Sequence, residues 1–286
     1  MNTKLIPFTL SICVFIINTT NGKTKVSLQK AFDKKYITAK AVCKGGLELD
    51  YSVSNLLKDS LLIFIPAGWR FNSNASKNDY QDILMAHEEI LVLSPKQTKK
   101  FDIKGYCCEA TKSGPQKGVP YTFGKMADSS LVLLARYLNT HKIDSNTEQY
   151  SVWAISDGKE TANITSNNDS IAALLRTFVA TIKGEPLPWY TLLKRAKITN
   201  TGEVSDHPVR FKANITYQVP ETCYSYCYII DSKGQKVSEI FGKWLLSDNT
   251  DYNASFNVAG LKKGEYKLVL EGKNTPLFEK HLKFSI

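Results

Sequence analysis

Apolar residues in this chain recur with a period of two in short runs, cut by turn residues at roughly 8–12-residue intervals, and that pattern predicts an antiparallel β-sandwich. The predicted strands of the first half are Tyr36–Val42, Leu47–Val53, Leu61–Ile65, Gln81–Met85, Glu89–Leu93 and Lys100–Tyr106. Leu61–Ile65 is apolar at every position and reads as a fully buried strand stopped by Pro66-Ala67-Gly68. A short helix precedes them, with Ser27 as its cap and Leu28, Ala31 and Phe32 on one face. Asn72–Asp79 reads as a polar loop.

After Cys108 the texture changes. Lys112–Tyr121 is a loop containing Pro115, Gly118 and Pro120. Three helical patterns follow. Asp128-Ser129-Ser130 caps the first, whose Leu131, Leu134, Tyr137 and Leu138 share a face. The second surrounds Gln149, with Thr147 as N-cap and Val152, Trp153 and Ile155 as its buried side. The third covers Ile171–Ile182 and ends at Gly184. Strand patterns return at Phe211–Val219, Tyr224–Asp231, Lys236–Ile240, Asp251–Val258 and Tyr266–Glu271. The turns Val219-Pro220-Glu221, Asp231-Ser232-Lys233-Gly234 and Lys262-Lys263-Gly264 separate these runs. The expected fold class is mainly β with α. A β-sandwich plus a three-helix segment (23–190) is followed by a small immunoglobulin-like β-sandwich (195–286).

The N-terminus predicts export. Met1-Asn2-Thr3-Lys4 is a short basic stretch, Leu5–Ile17 is apolar, and Asn18–Lys23 is polar. Such a run is too short to span a bilayer and fits a signal peptide over residues 1–22, so the mature chain is expected to be secreted, extracellular or at the cell surface, with no membrane span. Five cysteines remain, Cys43, Cys107, Cys108, Cys223 and Cys227, and an odd number leaves at least one unpaired by disulfides. Cys223 and Cys227 lie on one strand with α-carbons roughly 13 Å apart. A disulfide tolerates only about 7 Å. With no Cys-x-x-Cys pair and no His/Cys cluster, neither a metal site nor a cofactor is expected. The net charge of +10 comes from scattered lysines without an arginine-rich stripe, which argues against nucleic acid as a partner.

Gly105-Tyr106-Cys107-Cys108-Glu109 and Glu148-Gln149-Tyr150-Ser151-Val152-Trp153 carry the chemistry. Tyr-Cys and Gln-x-x-Val-Trp resemble the paired motifs of the thioester domains of bacterial surface adhesins. That resemblance covers about residues 100–157 and implies an internal thioester between Cys107 and Gln149. Tyr106, Tyr150 and Trp153 would be the aromatic cover that keeps water away. Placed in the first turn of its helix, the Gln149 carbonyl would face free backbone N–H groups able to hold an oxyanion. Ile215-Thr216-Tyr217, Ile229-Ile230-Asp231-x-x-Gly234 and Gly260-Leu261-x-x-Gly264-x-Tyr266 resemble the C-terminal immunoglobulin-like sorting domains of secreted Bacteroidota proteins, with His207-Pro208 where that family usually has Asn-Pro.

The expected function is a non-enzymatic adhesion or binding protein for an extracellular protein or glycan surface, attaching covalently through Cys107 and Gln149. Its oligomeric state is not indicated. Two other readings stay open. In an inert interaction protein of the same fold, one of Cys107 and Cys108 would be a buried small hydrophobe and the other paired with Cys43, and Gln149 would cap or bridge a loop. A cysteine hydrolase or transferase would need His87 or His141 brought to a cysteine as base.

Overall fold

The computed structural model describes residues 23–74, 80–198, 204–217, 222–246, 250–273 and 279–286. The leader predicted over 1–22, the turn at Val219-Pro220-Glu221 and part of the Asn72–Asp79 loop lie outside them. The chain is mainly β, with 49% strand against 21% helix.

The first domain packs a small sheet on a large one. In the small sheet β1 (Lys23–Ser27) runs parallel to β4 (Ser60–Ile65), and β7 (Glu89–Leu93) pairs antiparallel on its other side. The large sheet has seven strands: β2 (Ile37–Gly45), β3 (Glu48–Asn55), β5 (Trp69–Ser73), β6 (Ile83–Leu84), β8 (Thr98–Lys104), β9 (Tyr106–Cys107) and β10 (Pro120–Met126). Their order is β8-β3-β2-β10-β5-β6-β9. Leu61, Ile63 and Ile65 of the small sheet meet Leu49, Tyr51, Val53 and Phe71 of the large one, all at most 1% exposed. Each such aliphatic side chain contributes about 1.5–3 kcal/mol on burial. β4 is not fully buried as expected. Leu62 and Phe64 are half-buried, because only one face of the three-stranded sheet meets the larger one.

Strands β1, β5 and Tyr190–Ile198 were not expected from the sequence, β5 ending inside the predicted polar loop, and two further strands differ from the sequence pattern. β10 begins inside the predicted loop Lys112–Tyr121, at Pro120, and lies between β2 and β5, in the middle of the large sheet. Its register slips between Thr122 and Lys125, where Gly124 has φ +51° and an added Cβ would sit 1.9 Å from the Arg70 carbonyl oxygen. The predicted strand Lys100–Tyr106 is two strands. β8 ends at Lys104, and β9 begins after Gly105 on the opposite edge of the sheet. A single residue joining both edges requires the sheet to curl until they nearly meet, and the Gly105 N–H closes the seam on the Leu47 carbonyl at 3.0 Å.

α1 (Leu28–Asp33) follows β1, with the Ser27 hydroxyl accepting from the Lys30 N–H. α2 (Ser129–Thr140) is capped by Asp128, and α4 (Asp169–Lys183) ends at Gly184 in the left-handed conformation. With α3 (Ser145–Ser156) they pack a second core of Leu131, Leu134, Leu138, Val152, Leu175 and Val179. The second sandwich sets β11 (Tyr190–Ile198), β12 (Val204–Tyr217) and β15 (Thr250–Asn257) against β14 (Lys236–Leu246), β13 (Cys223–Asp231), β16 (Glu265–Lys273) and β17 (Glu279–Ser285). Cys223, Ser225, Cys227 and Ile229 alternate onto its buried face. No helix among the described residues is long and apolar enough to cross a membrane.

Candidate functional site

Cys107 lies on a two-residue strand, and the reason is its neighbour. A Cβ on residue 105 would fall 2.3 Å from Ile83 Cγ2 and 2.8 Å from the Leu84 carbonyl oxygen, so glycine alone lets the backbone turn here against β6. β9 then pairs with β6, Cys107 opposite Ile83 and Tyr106 opposite Leu84. The Cys108 N–H continues the contact to the Asp82 carbonyl at 2.9 Å.

A half-buried charge cluster fixes this edge. The Arg70 Nε donates to Asp82 Oδ2 at 2.9 Å, its guanidinium also pairs with Glu109, and the Asp82 N–H donates to Glu109 Oε2 at 2.8 Å. Asp82 further accepts from Ser73 N–H at 2.8 Å and Asn72 Nδ2 at 3.1 Å. In the sequence Gln81 and Asp82 only open the predicted strand Gln81–Met85. In the fold they brace the strand that carries Cys107.

Helix α3 brings the glutamine. Its N-cap is Asp144, not Thr147, and the carboxylate accepts from the Thr147 N–H at 3.0 Å and its hydroxyl at 2.6 Å. The Ser166 hydroxyl also donates to it at 2.6 Å. Gln149 therefore sits beyond the first turn, and free helix N–H groups do not meet its carbonyl. The Cys107 backbone does. Cys107 N–H donates to Gln149 Oε1 at 2.9 Å, and Gln149 Nε2 donates back to the Cys107 carbonyl at 2.8 Å. The side-chain amide is thus docked at two points on the residue that carries the thiol, with Cys107 5% and Gln149 8% exposed.

Trp153 and Tyr150 cover the pair. Trp153 packs with Cys107 and Ala110, Leu47 and Tyr150 close over them, and Tyr150 meets Trp153 edge-on at 5.6 Å. The Trp153 indole N–H donates to Gln81 Oε1 at 3.2 Å. Tyr106 is not part of this cover. Successive strand residues face opposite ways, and Tyr106 packs with Leu84, Leu131 and Leu134 in the helix–sheet core. There its hydroxyl joins buried Glu148, which also meets His87 Nε2 at 3.1 Å. Nothing in the sequence links His87 to Glu148, 61 residues apart. His141 Nδ1 lies 2.7 Å from the Tyr137 carbonyl. Neither histidine is brought to a cysteine among these contacts.

All five described cysteines are buried and none is in a disulfide. Burial pushes the Cys107 thiol up to about 12, with Cys43 and Glu109 adding to the rise. Burial also raises Cys108, although the nearby Arg70 charge opposes it. These are protected thiols.

The cap can be tested directly. Burial alone would raise the Asp144 carboxyl above its ordinary 3.8, but the Ser166 and Thr147 hydroxyls and the Thr147 N–H outweigh it and hold the group lower. A lowered folded-state value makes the contribution fully present above the ordinary carboxylate range and lost as pH falls through the folded value. Asp144→Ala is expected to cost about 1 kcal/mol near pH 7. Thermal unfolding between pH 2 and 7 should show the wild-type advantage shrinking at the acid end; a pH-independent gap would contradict this account. No family model and no curated relative matches the chain, so the reading of this site rests on its geometry and its motifs.

Proposed function

We propose that this chain is an exported, surface-acting binding protein whose first domain makes an internal thioester between Cys107 and Gln149 and spends it on covalent attachment to an extracellular protein or glycan. The observation that carries the reading is the two-point docking of the Gln149 amide on the Cys107 backbone, under the Trp153 and Tyr150 rings. In the forming step the Cys107 sulfur attacks Gln149 Cδ, the S–C bond forms, the C–N bond breaks, and the thiol proton leaves with the nitrogen as ammonia. The Cys107 N–H already points at Gln149 Oε1, where negative charge develops in the tetrahedral intermediate. A thiol pushed up to about 12 supplies little thiolate, which fits a single slow maturation step rather than turnover. In the attaching step a ligand amine or hydroxyl displaces the sulfur, giving an amide or ester at Gln149 and a free thiol at Cys107. The second sandwich would be a sorting or accessory module, in keeping with its resemblance to sorting domains.

A second reading has its own observation. Both polar atoms of the Gln149 amide are already satisfied by backbone, so the same contact serves an inert protein as a latch between α3 and β9. Intact mass separates the two. The thioester requires a mature mass about 17 Da below the sequence value, converted by methylamine to about 14 Da above it. Cys107→Ala and Gln149→Ala must each lose both effects. An unmodified mass, unchanged by methylamine, leaves the latch.

A further inference from the structure

Two cavities where the first domain meets the second sandwich, of about 490 and 770 Å³, are both lined by Asp169, Arg176, Thr191 and Lys212, and so form one groove. Each lies in the range of about 300–1,000 Å³ usual for ligand sites. The floor is the outer face of the β11-β12-β15 sheet. Phe211, Ile215 and Ala254 turn into the sandwich, which leaves Lys212 opposite Ser255, and Asn214 opposite Asn253, on the exposed side. The first half of α4 forms the wall. Tyr150 lines one end, beside the Cys107–Gln149 pair that it covers, and Trp189 lines the other. The Trp189 indole N–H is fixed on the Lys283 carbonyl at 2.7 Å, and its ring packs edge-on against Tyr190 and Phe211.

Arg176 is the informative residue. It is half-buried, and among the described residues its one hydrogen bond runs from Nη1 to the Ile164 carbonyl at 2.8 Å. Burial holds its pKa below the ordinary arginine value, against the pull of Asp169. A partly desolvated guanidinium with Nε and Nη2 unspent is complementary to a carboxylate, which takes both arms of the fork. Lys194, Arg210 and Lys212 bring the groove to four cations against Asp144 and Asp169, and Asp144 is already engaged by the α3 cap. The rest of the lining selects the carrier of that carboxylate. Asn146, Asn167, Asn214 and Asn253 each offer donors and an acceptor, as neighbouring sugar hydroxyls require. The rings at the two ends suit the C–H faces of sugar rings. A peptide would need apolar pockets or a free strand edge. Among the described lining residues Leu193 is the one large aliphatic side chain, and the floor is a sheet face. We propose that this groove binds an acidic oligosaccharide of the uronate class, a carboxylate on Arg176 and hydroxyls on the asparagines. It narrows the ligand of the reading above to a glycan and rests on that reading for its extracellular setting, whereas the binding itself needs no Cys107–Gln149 bond.

The test is calorimetric titration of the purified mature protein at pH 7 and fixed ionic strength. The probes are oligomers of galacturonate, of mannuronate and of hyaluronan, the carboxyl-methyl ester of each, and hexaglutamate. At least one uronate oligomer is expected to bind saturably, and at least tenfold more tightly than its own methyl ester and than hexaglutamate. Arg176→Gln should weaken that binding at least tenfold. Lys212→Gln and Asn214→Ala, at exposed positions, should weaken it several-fold with the melting temperature unchanged, and they decide the matter should the Arg176 variant not fold. Binding of none of the oligomers, equal affinity for the methyl ester, hexaglutamate binding as well as the sugar, or full binding by both exposed variants would each overturn the proposal. Intact mass with methylamine on the same preparation reads the thioester separately. A chain unmoved by methylamine that still selects the uronate loses the covalent reading and keeps the groove.

Discussion

Asp82→Ala is expected to destabilise the β5–β6–β9 edge by about 2–4 kcal/mol, somewhat less than breaking a fully buried ion pair, because Arg70 is partly exposed and keeps Glu109. The carboxylate accepts from the Arg70 guanidinium, Asn72 and the Ser73 N–H, and its own N–H holds Glu109. Alanine keeps that N–H but leaves the Arg70 side chain, 27% exposed, with Glu109 alone. The Ser73 N–H and Asn72 amide lose their acceptor, and water reaches this edge poorly because Asp82 is only 8% exposed. Asp82→Asn retains an acceptor for Ser73 and should lose roughly 1–3 kcal/mol. Hydrogen exchange read on peptides spanning residues 69–73, 80–86 and 105–110 isolates the opening of this edge from the rest of the chain. A change below about 1 kcal/mol for the alanine variant would show that Arg70 and Glu109 hold the edge without it.

Gly105→Ala is expected to cost about 1–3 kcal/mol as an overpacking change and to remove the Cys107–Gln149 docking with it. The nearest obstacle, Ile83 Cγ2 at 2.3 Å, belongs to a side chain that is wholly buried, and the next, the Leu84 carbonyl oxygen at 2.8 Å, is backbone. Neither gives way cheaply, so β9 must back off β6 and carry Cys107 with it. Gly260→Ala is the control, since nothing lies within 4 Å of a Cβ there, and it should stay within about 0.5 kcal/mol of wild type. The methylamine-sensitive fraction of the mature protein should drop steeply for Gly105→Ala and hold for Gly260→Ala. Full retention in the first variant would mean that the β8–β9 turn does not set the position of Cys107.

Strands with one buried face were legible because burial of alternate side chains writes itself into the sequence, as in Glu89–Leu93 and Cys223–Asp231. β10 was not, because Pro115, Gly118 and Pro120 signal a loop and Gly124 interrupts the alternation where the strand bulges. β8 and β9 merged into one expected strand, since the period of two runs on through Gly105 while the chain crosses from one edge of the sheet to the other. The cap of α3 shifted from Thr147 to Asp144 because several capping residue types stand in a row, and only the fold shows which one turns its side chain inward. Cys107 and Gln149 were paired on motif resemblance, and the fold does bring them together. Their brace was invisible: Arg70 meets Asp82 across 12 residues and Glu109 across 39, and no local pattern encodes such contacts.

Cys107 and Gln149 stand 42 positions apart, and the whole of α2 lies between them. A covalent bond there would tether the unfolded chain as a disulfide does, closing a loop whose lost freedom is equivalent to about 4 kcal/mol. Transfer to a ligand cuts that tether. The loaded molecule would then be the rigid form and the discharged one the softer, so that each act of capture would leave its record in the resilience of the domain that made it.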